Sequence, residues 1–390
     1  MKTILINILL LAYFSAASQN TVESVLSEID KNNTTLSALR KNSEAEMIAN
    51  KTGIWPVNPE VEFHYLWGNP SALGSRTDFA VSQSFDFPTA YVYRSQIADF
   101  KNQQAGLEYQ KQRRDILHEA RLLCGELTFH NALVAEYRQR VDHATQIAEA
   151  YEKMLAAGEG NQLDFNKSRI YLLNVSKQYE TIVIERTALQ AELARLNGGM
   201  AIAIDDSVFE VPQTIPGFEE WYAQAEQNNP VLQWLKQELD ISHKTRQLQV
   251  AQSLPKFSTG YMSEKVVGEQ FQGITVGISI PLWENKNTVA YTRAKILAVE
   301  ELQRDAKLQF YNEIKAHHSK LFELQQSIEG YRKEIAGHDN GGLITKALDA
   351  GEISLSEYFY ELSFYYESID KLLEMELTLN KAWAELLRYT

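Results

Sequence analysis

The chain has 390 residues, 44% hydrophobic and 23% charged, so it carries enough apolar material to bury a core and is not a disordered tail. Its formal net charge is −13 and no Lys/Arg-rich run occurs, which argues against a nucleic-acid partner, because phosphate binding needs clustered cations.

Residues 1–18 read as a secretory signal peptide: Lys2 precedes an apolar run from Ile4 to Phe14, and small residues to Ser18 mark the cleavage region. The run is too short to span a bilayer as a helix. No cysteine lies beside it for lipid attachment, and the single cysteine, Cys124, reads as a buried apolar thiol with no disulfide partner in the chain. Beyond the signal, no apolar stretch reaches the roughly 18 residues of a spanning helix, so entry into a membrane requires β-structure.

The first repeat occupies residues 19–200. It opens with helical sequence around "KNNTTL" (31 to 36) and breaks at "GIWPVNPE". Two strand-like runs follow, at 60–68 and 78–88. In "DFAVSQSFDFP", Phe79, Val81, Gln83, Phe85 and Phe87 fall on one face, and Asp78, Ala80, Ser82, Ser84 and Asp86 on the other. Helical sequence then resumes with a seam stepping by three and four: Ala120, Leu123, Leu127, His130, Val134, Tyr137, Val141, Ala144, Ala148, Tyr151, Leu155. From Arg94 to Ala157 one helix would extend about 95 Å at roughly 1.5 Å per residue. Gly158 and Gly160 interrupt it and predict a tight turn into a return helix, seamed by Leu172, Val175, Tyr179, Ile182, Arg186, Leu189, Leu193 and Leu196.

A linker at 201–216 leads to the second repeat, 217–390, which restates the first. "QNNPVL" matches "KNNTTL", "QSLPKF" supplies the break, and strands are predicted at 256–265 and 273–282. The last alternates Ile274, Val276, Ile278, Ile280 and Leu282 against Thr275, Gly277, Ser279 and Pro281. "DAGEISLSEYF" matches "AAGEGNQLDF", and "AELLR" matches "AELAR". Gly158 to Gly351 and Glu192 to Glu385 are both 193 residues apart, the mark of a tandem duplication. "GHDNGG" (337 to 342) predicts a kink or local unwinding in the second repeat's descending helix.

Strands of about ten residues match a tilted bilayer crossing, and Tyr65, Trp67, Phe85, Phe87 and Trp283 near their ends suit aromatic girdles. Phe79, Val81, Phe85, Phe87, Ile274, Val276, Ile278 and Ile280 are the expected lipid-facing side chains, and the even face of 78–88 is expected to line a lumen. A small water-soluble sheet packed on its own helices is the alternative. Four strands cannot close a barrel, and an open edge in lipid leaves backbone groups unpaired at several kcal/mol each. Two chains would pool eight strands and three would pool twelve.

The duplicated order helix–strand–strand–helix–helix resembles the TolC-type outer-membrane efflux proteins across the whole mature chain. The resemblance is carried by Asn58-Pro59-Glu60, Asn229-Pro230, Ser253-Leu254-Pro255, "GISIPLW" and the two turns Gly158…Leu163-Asp164 and Gly351…Leu355. It implies a mainly α fold with a shared transmembrane β-barrel: a homotrimer with a twelve-stranded barrel in the outer membrane and a coiled-coil helical tunnel in the periplasm of a Gram-negative bacterium. The implied partners are outer-membrane lipid, a periplasmic adaptor protein and an inner-membrane transporter that delivers cargo through the duct. It also implies that Gly158, Leu163, Asp164, Gly351 and Leu355 form the adaptor-docking periplasmic tip.

Repeated by threefold symmetry, Asp164 and Glu357 become candidate gate acids; the other reading is that both merely cap helix N-termini. His130 reads as a packed histidine, and Arg186 as a register or ion-pairing residue. His317 and His318 are adjacent on a helix, point about 100° apart and cannot chelate one ion together. No catalytic motif, cofactor site or metal-ligand spacing is expected. Two readings stay open: a passive efflux duct, whose cargo could be drugs, metal ions or, through type I secretion, polypeptide, and a soluble periplasmic coiled-coil scaffold or fibre without a pore.

Overall fold

A computed structural model describes residues 21–209, 217–338 and 341–389. The signal peptide, residues 210–216 of the linker and the centre of the "GHDNGG" stretch lie outside the described residues. The first repeat holds α1 (Val22–Asn32), α2 (Thr34–Ala49), β1 (Glu60–Trp67), β2 (Ser75–Phe85), α3 (Pro88–Ala156) and α4 (Gln162–Leu196). The second holds α5 (Phe218–Asn228), α6 (Pro230–Gln252), β3 (Lys256–Val266), β4 (Glu269–Ser279), α7 (Thr288–Gly337), α8 (Gly341–Asp349) and α9 (Leu355–Leu387). Helix α7 thus ends, and α8 begins, inside the glycine-rich stretch. Residues 21–33, 119–209, 324–338 and 341–381 form one compact group, and residues 34–118, 217–323 and 382–389 form another.

The first group is helical. Val25, Leu26 and Ile29 of α1 are buried, as are Cys124 and Leu127 of α3 and Leu193 and Leu196 of α4. The asparagine pair after α1 ties its C-terminus to the end of α4. Asn33 donates to the Leu196 carbonyl at 2.8 Å, and Asn32 donates to Asn197 Oδ1 at 3.0 Å. The Leu196 carbonyl and the Asn197 side chain at the end of α4 thereby gain partners within the protein. The α4 seam holds as read at Val175, Ile182, Leu193 and Leu196. On α3 it holds at Ala120, Leu127, Ala144 and Ala148, but the buried track passes through Cys124 and Asn131 instead of Leu123 and His130. Asn131 explains the shift, since its amide donates to the carbonyls of Ile204 and Asp206 at 2.9 and 3.0 Å. Burial pushes the Cys124 thiol up to about 12, which leaves it an inert apolar side chain.

The second group carries the sheet. Its four strands run antiparallel in the order β1-β2-β3-β4. Each repeat contributes one hairpin, and the two join where β2 pairs with β3, from Arg76↔Val266 to Phe85↔Phe257. The β3–β4 turn is the two-residue Val267-Gly268, both at positive φ (47° and 96°), the backbone that a tight hairpin of right-handed twist requires. Nearby, Asn229 caps α6 by accepting from Val231 N at 2.8 Å, with Pro230 in the first turn, where its missing N–H costs nothing. Phe218 and Tyr222 of α5 pack on Tyr311 of α7, with ring centroids 5.3 and 4.9 Å apart.

Strand boundaries depart from the alternation in two places. Strand β2 covers 75–85 rather than 78–88, because Asp86 leaves the ladder: its N–H donates to the Tyr91 hydroxyl at 2.8 Å and its carboxylate pairs with Arg94 at 2.5 Å. Phe87 therefore lies beyond the strand, packed on Phe257 at 6.5 Å between centroids. Strand β4 covers 269–279 rather than 273–282, and Ile280 lies past its end, next to Pro281, which has no N–H to donate.

Gly260 sets the β2–β3 spacing. A Cβ there would lie 2.3 Å from the Val81 carbonyl oxygen, whereas one at Gly273 would meet nothing within 4 Å. Gly260→Ala is expected to destabilise the sheet by about 1–3 kcal/mol and Gly273→Ala to leave it within about 0.5 kcal/mol. Urea unfolding followed by the mobility shift of the folded species measures both.

Candidate functional site

The two interhelical turns lie together in the helical group, and the duplication repeats their chemistry. Gly158 has φ +76° and Gly351 φ +72°, the left-handed backbone that favours glycine. Each turn ends in an N-cap: Asn161 for α4 and Ser354 for α9, again 193 residues apart. Asn161 Oδ1 accepts from Asp164 N at 2.8 Å, and its amide donates to the Asp164 carboxylate at 2.6 Å. In the second turn Ser354 N donates to the Glu357 carboxylate at 2.7 Å, and Glu357 N donates to the Ser354 hydroxyl at 3.3 Å. This is a reciprocal capping box, and the bond from the Ser354 backbone holds the Glu357 carboxyl below its usual range. Both candidate gate acids are thus engaged as helix caps.

The turns are also bound to each other. Lys167 of α4 donates to the Ser356 hydroxyl of α9 at 2.8 Å and reaches Asp164 at 3.4 Å. The Tyr171 and Phe359 rings stack with centroids 3.9 Å apart. The two leucines differ. Leu163 is 63% exposed at the first turn, whereas Leu355 is 3% exposed and packs with Tyr358 and Leu362 against Ile147, Tyr151 and Leu348. Leu355 therefore supports the shape of the turn from inside and presents no surface of its own.

Above the turns, Arg140 of α3 meets Asp370 of α9 through two hydrogen bonds of 2.7 and 2.9 Å. Its guanidinium lies 4.3 Å from the ring centroids of both Tyr137 and Tyr366. Burial lowers the Arg140 pKa, but the hydrogen bonds and charge of Asp370 outweigh it, so the group sits above its ordinary value and stays charged.

The reading of the other singled-out residues can be set against their positions. His130 Nε2 lies 3.4 Å from Glu185 of α4, and its Nδ1 lies 2.8 Å from the Glu126 carbonyl, which is a packed arrangement. His318 faces the Phe218 ring at 5.6 Å, while His317 faces Glu313 at 4.0 Å. Among the described residues no group of three or more metal-ligating side chains comes together.

The sheet's two faces are chemically distinct. Cross-strand rows on one face read Val61–Val81–Tyr261–Ile274 and Phe85–Phe257–Ile278, with Phe63 beside Phe79. Toward the hairpin ends the same face turns polar, at Thr77, Lys265 and Gln270. Ile274 and Val276 are 82% and 79% exposed, so among the described residues nothing covers this face at β4. Phe79, Val81, Phe85 and Ile278 lie on it as well. The opposite face carries Arg76, which pairs with Asp78 at 2.8 Å and Glu264 at 3.2 Å. No helix among the described residues is long and apolar enough to cross a membrane.

No protein-family profile matches the sequence, and no curated protein matches it. Solved structures do match. The outer membrane channel CmeC of Campylobacter jejuni aligns over 94% of this chain and 85% of its own, at a TM-score of 0.74 and 11% identity. The outer membrane protein VceC of Vibrio cholerae aligns over 94% and 92%, at 0.67 and 12% identity. The open-state outer membrane channel MtrE of Neisseria gonorrhoeae aligns over 94% and 88%, at 0.63 and 13% identity. The fold is that of the TolC-type outer-membrane channels. Within this TolC-type fold, capping by Asp164 and Glu357 was one of the two readings of the sequence, and what it passed over were their cap partners, Asn161 and Ser354. Their signal was present as N-x-x-D in "NQLD" and S-x-x-E in "SLSE".

Asn161→Ala is expected to weaken the start of α4 by about 1 kcal/mol, roughly a fivefold loss of amide protection over residues 162–166. Ser354→Ala is expected to act in the same direction on α9. Hydrogen exchange resolved to those segments measures both.

Proposed function

We propose that the chain is the outer-membrane exit duct of a tripartite efflux system, assembled as a homotrimer and passive in itself. One observation carries this reading: a four-stranded sheet with one uncovered apolar face and two unpaired edges, β1 and β4. An uncovered apolar face belongs in lipid, and edge strands in lipid must be paired. Copies of the chain pair them, and three chains give a closed barrel of twelve strands. The face bearing Arg76, Asp78 and Glu264 then lines a water-filled lumen, where charges remain solvated. The reading places the sheet in the outer membrane and the helices in the periplasm.

The paired turns at Gly158 and Gly351 form the periplasmic tip, where an adaptor docks and an inner-membrane transporter hands over cargo. Leu163 is the exposed contact, and Asp164 and Glu357 ring the axis as gate acids while also capping their helices. A duct recognises cargo loosely, so drugs, metal ions and polypeptide are all compatible with it. No step of the reading calls for catalysis.

The test is a charge on the apolar face. Val276→Arg costs roughly 2–4 kcal/mol per site at the bilayer midplane, once per subunit. The variant is expected to disappear from outer-membrane fractions as a heat-modifiable trimer, and normal insertion would overturn the strand assignment. A wild-type chain found in the soluble periplasmic pool would favour the scaffold reading. Gly351→Ile is expected to lower efflux in whole cells while trimers persist on semi-native gels. Loss of trimers would show that the turn is not a separable docking element.

A further inference from the structure

His143 of α3 stands between two tyrosine hydroxyls of α9. Its Nε2 lies 2.9 Å from the Tyr358 hydroxyl, and its Nδ1 lies 3.4 Å from the Tyr366 hydroxyl. Tyr358 is only 1% exposed and belongs to the apolar cluster beneath the second turn. The imidazole is half-buried and meets the Tyr358 ring edge-on, with centroids 6.0 Å apart.

This geometry suits a neutral ring. Neutral imidazole has one N–H and one bare nitrogen, so it can give a hydrogen bond to one hydroxyl and take one from the other. A second proton makes both nitrogens donors. The hydroxyl that had been donating must then turn away from the ring, and Tyr358 keeps only its hydrogen bond with the Thr345 side chain.

The surrounding charges are already engaged and offer that second proton no counter-charge. Arg140 lies three positions back on the same helix face, and its guanidinium already occupies the Tyr366 ring. Asp370 of α9 is engaged on both oxygens by Arg140, and on one of them also by the Tyr137 hydroxyl at 3.1 Å. Glu136 of α3 acts on Arg140 and Tyr366, Asp349 of α8 acts on Tyr358, and Tyr171 of α4 acts on Tyr366. Among the described residues no carboxylate comes within ion-pair range of the His143 ring itself. A new cation would therefore sit beside an existing one without a counter-charge of its own.

We propose that His143 is an acid-sensitive contact between α3 and α9, and that its protonation releases the start of α9, with the capped second turn, from α3. The sign follows from burial, which lowers the His143 pKa below its ordinary 6.5. With the packed-state value depressed, the released state binds more protons, so packing is at full strength above 6.5. It weakens as pH falls from there toward the packed-state value. The contact itself needs no duct. Only the statement that it meets the protons of the periplasm rests on the function proposed above, and it would make the tip looser in acid.

Two measurements on the full chain purified in detergent test this. The first is exchange of the His143 imidazole C2 hydrogen, read by mass spectrometry between pH 5 and 8. A midpoint below 6.5 is expected, and one at or above it overturns the proposal. The second is backbone exchange over residues 355–362 at pH 7.5 and 5.5, normalised to intrinsic rates. Wild type is expected to lose protection at pH 5.5 by about threefold or more, while His143→Gln, which keeps a donor and an acceptor but does not titrate, shows no such loss. An equal loss in His143→Gln, or none in wild type, overturns the proposal. If that variant does not fold, the wild-type measurements decide alone. Neither readout follows transport, so a failure here leaves the duct reading standing, and a chain that conducts nothing leaves His143 testable.

Discussion

The constraint on which the rest depends is the backbone of two strands. Strands β1 and β4 each present a row of N–H and C=O groups that no other strand among the described residues meets. In water such an edge is only a liability, but in hydrocarbon each unpaired group costs several kcal/mol. The exposed apolar face is unfavourable in water, and the open edges are unfavourable alone in lipid. On the function proposed above, association of identical chains satisfies both demands at once. The polarity of the remaining face fits that reading, because the interior of such a barrel keeps Arg76, Asp78 and Glu264 hydrated.

Duplication makes this economical in a different sense: one structural unit is solved once and used twice. The correspondence reaches individual hydrogen bonds. Each turn uses a glycine at φ above +70°, then a capping side chain, then an acid three residues on whose carboxylate bonds back to the cap residue. The residues differ, Asn161 and Asp164 against Ser354 and Glu357, while the geometry is shared. Two helix starts with the same solution can lie side by side, joined by Lys167–Ser356 and Tyr171–Phe359.

Periodicity was legible in the sequence, and endpoints were not. The alternation of β2 and β4 was plain, yet it ran on to Phe87 and Ile280, because hydrophobic spacing does not register where a backbone leaves its ladder. Asp86, held by Tyr91 and Arg94, ends β2, and that requires knowing how α3 begins. The α3 seam was displaced by one position at Cys124 and Asn131 because neighbouring tracks of a long helix are nearly equally apolar. Only the carbonyls of Ile204 and Asp206 choose between them. The turn glycines were legible because left-handed backbone has a residue signature. The contacts around His143 were not, since Tyr358 lies 215 residues away and nothing local marks the pair.

The β2–β3 junction has a consequence for how the molecule is made. These strands are neighbours in the sheet, yet Arg76 pairs with Val266, across a gap that takes in all of α3 and α4. A chain emerging from its N-terminus therefore carries the sheet half-finished, with only the β1–β2 hairpin formed, until most of the polypeptide has been synthesised. Closing so large a loop is slow, and a waiting greasy ribbon is an invitation to aggregate. Until β3 arrives, the β2 edge of the first hairpin has no neighbour to pair with.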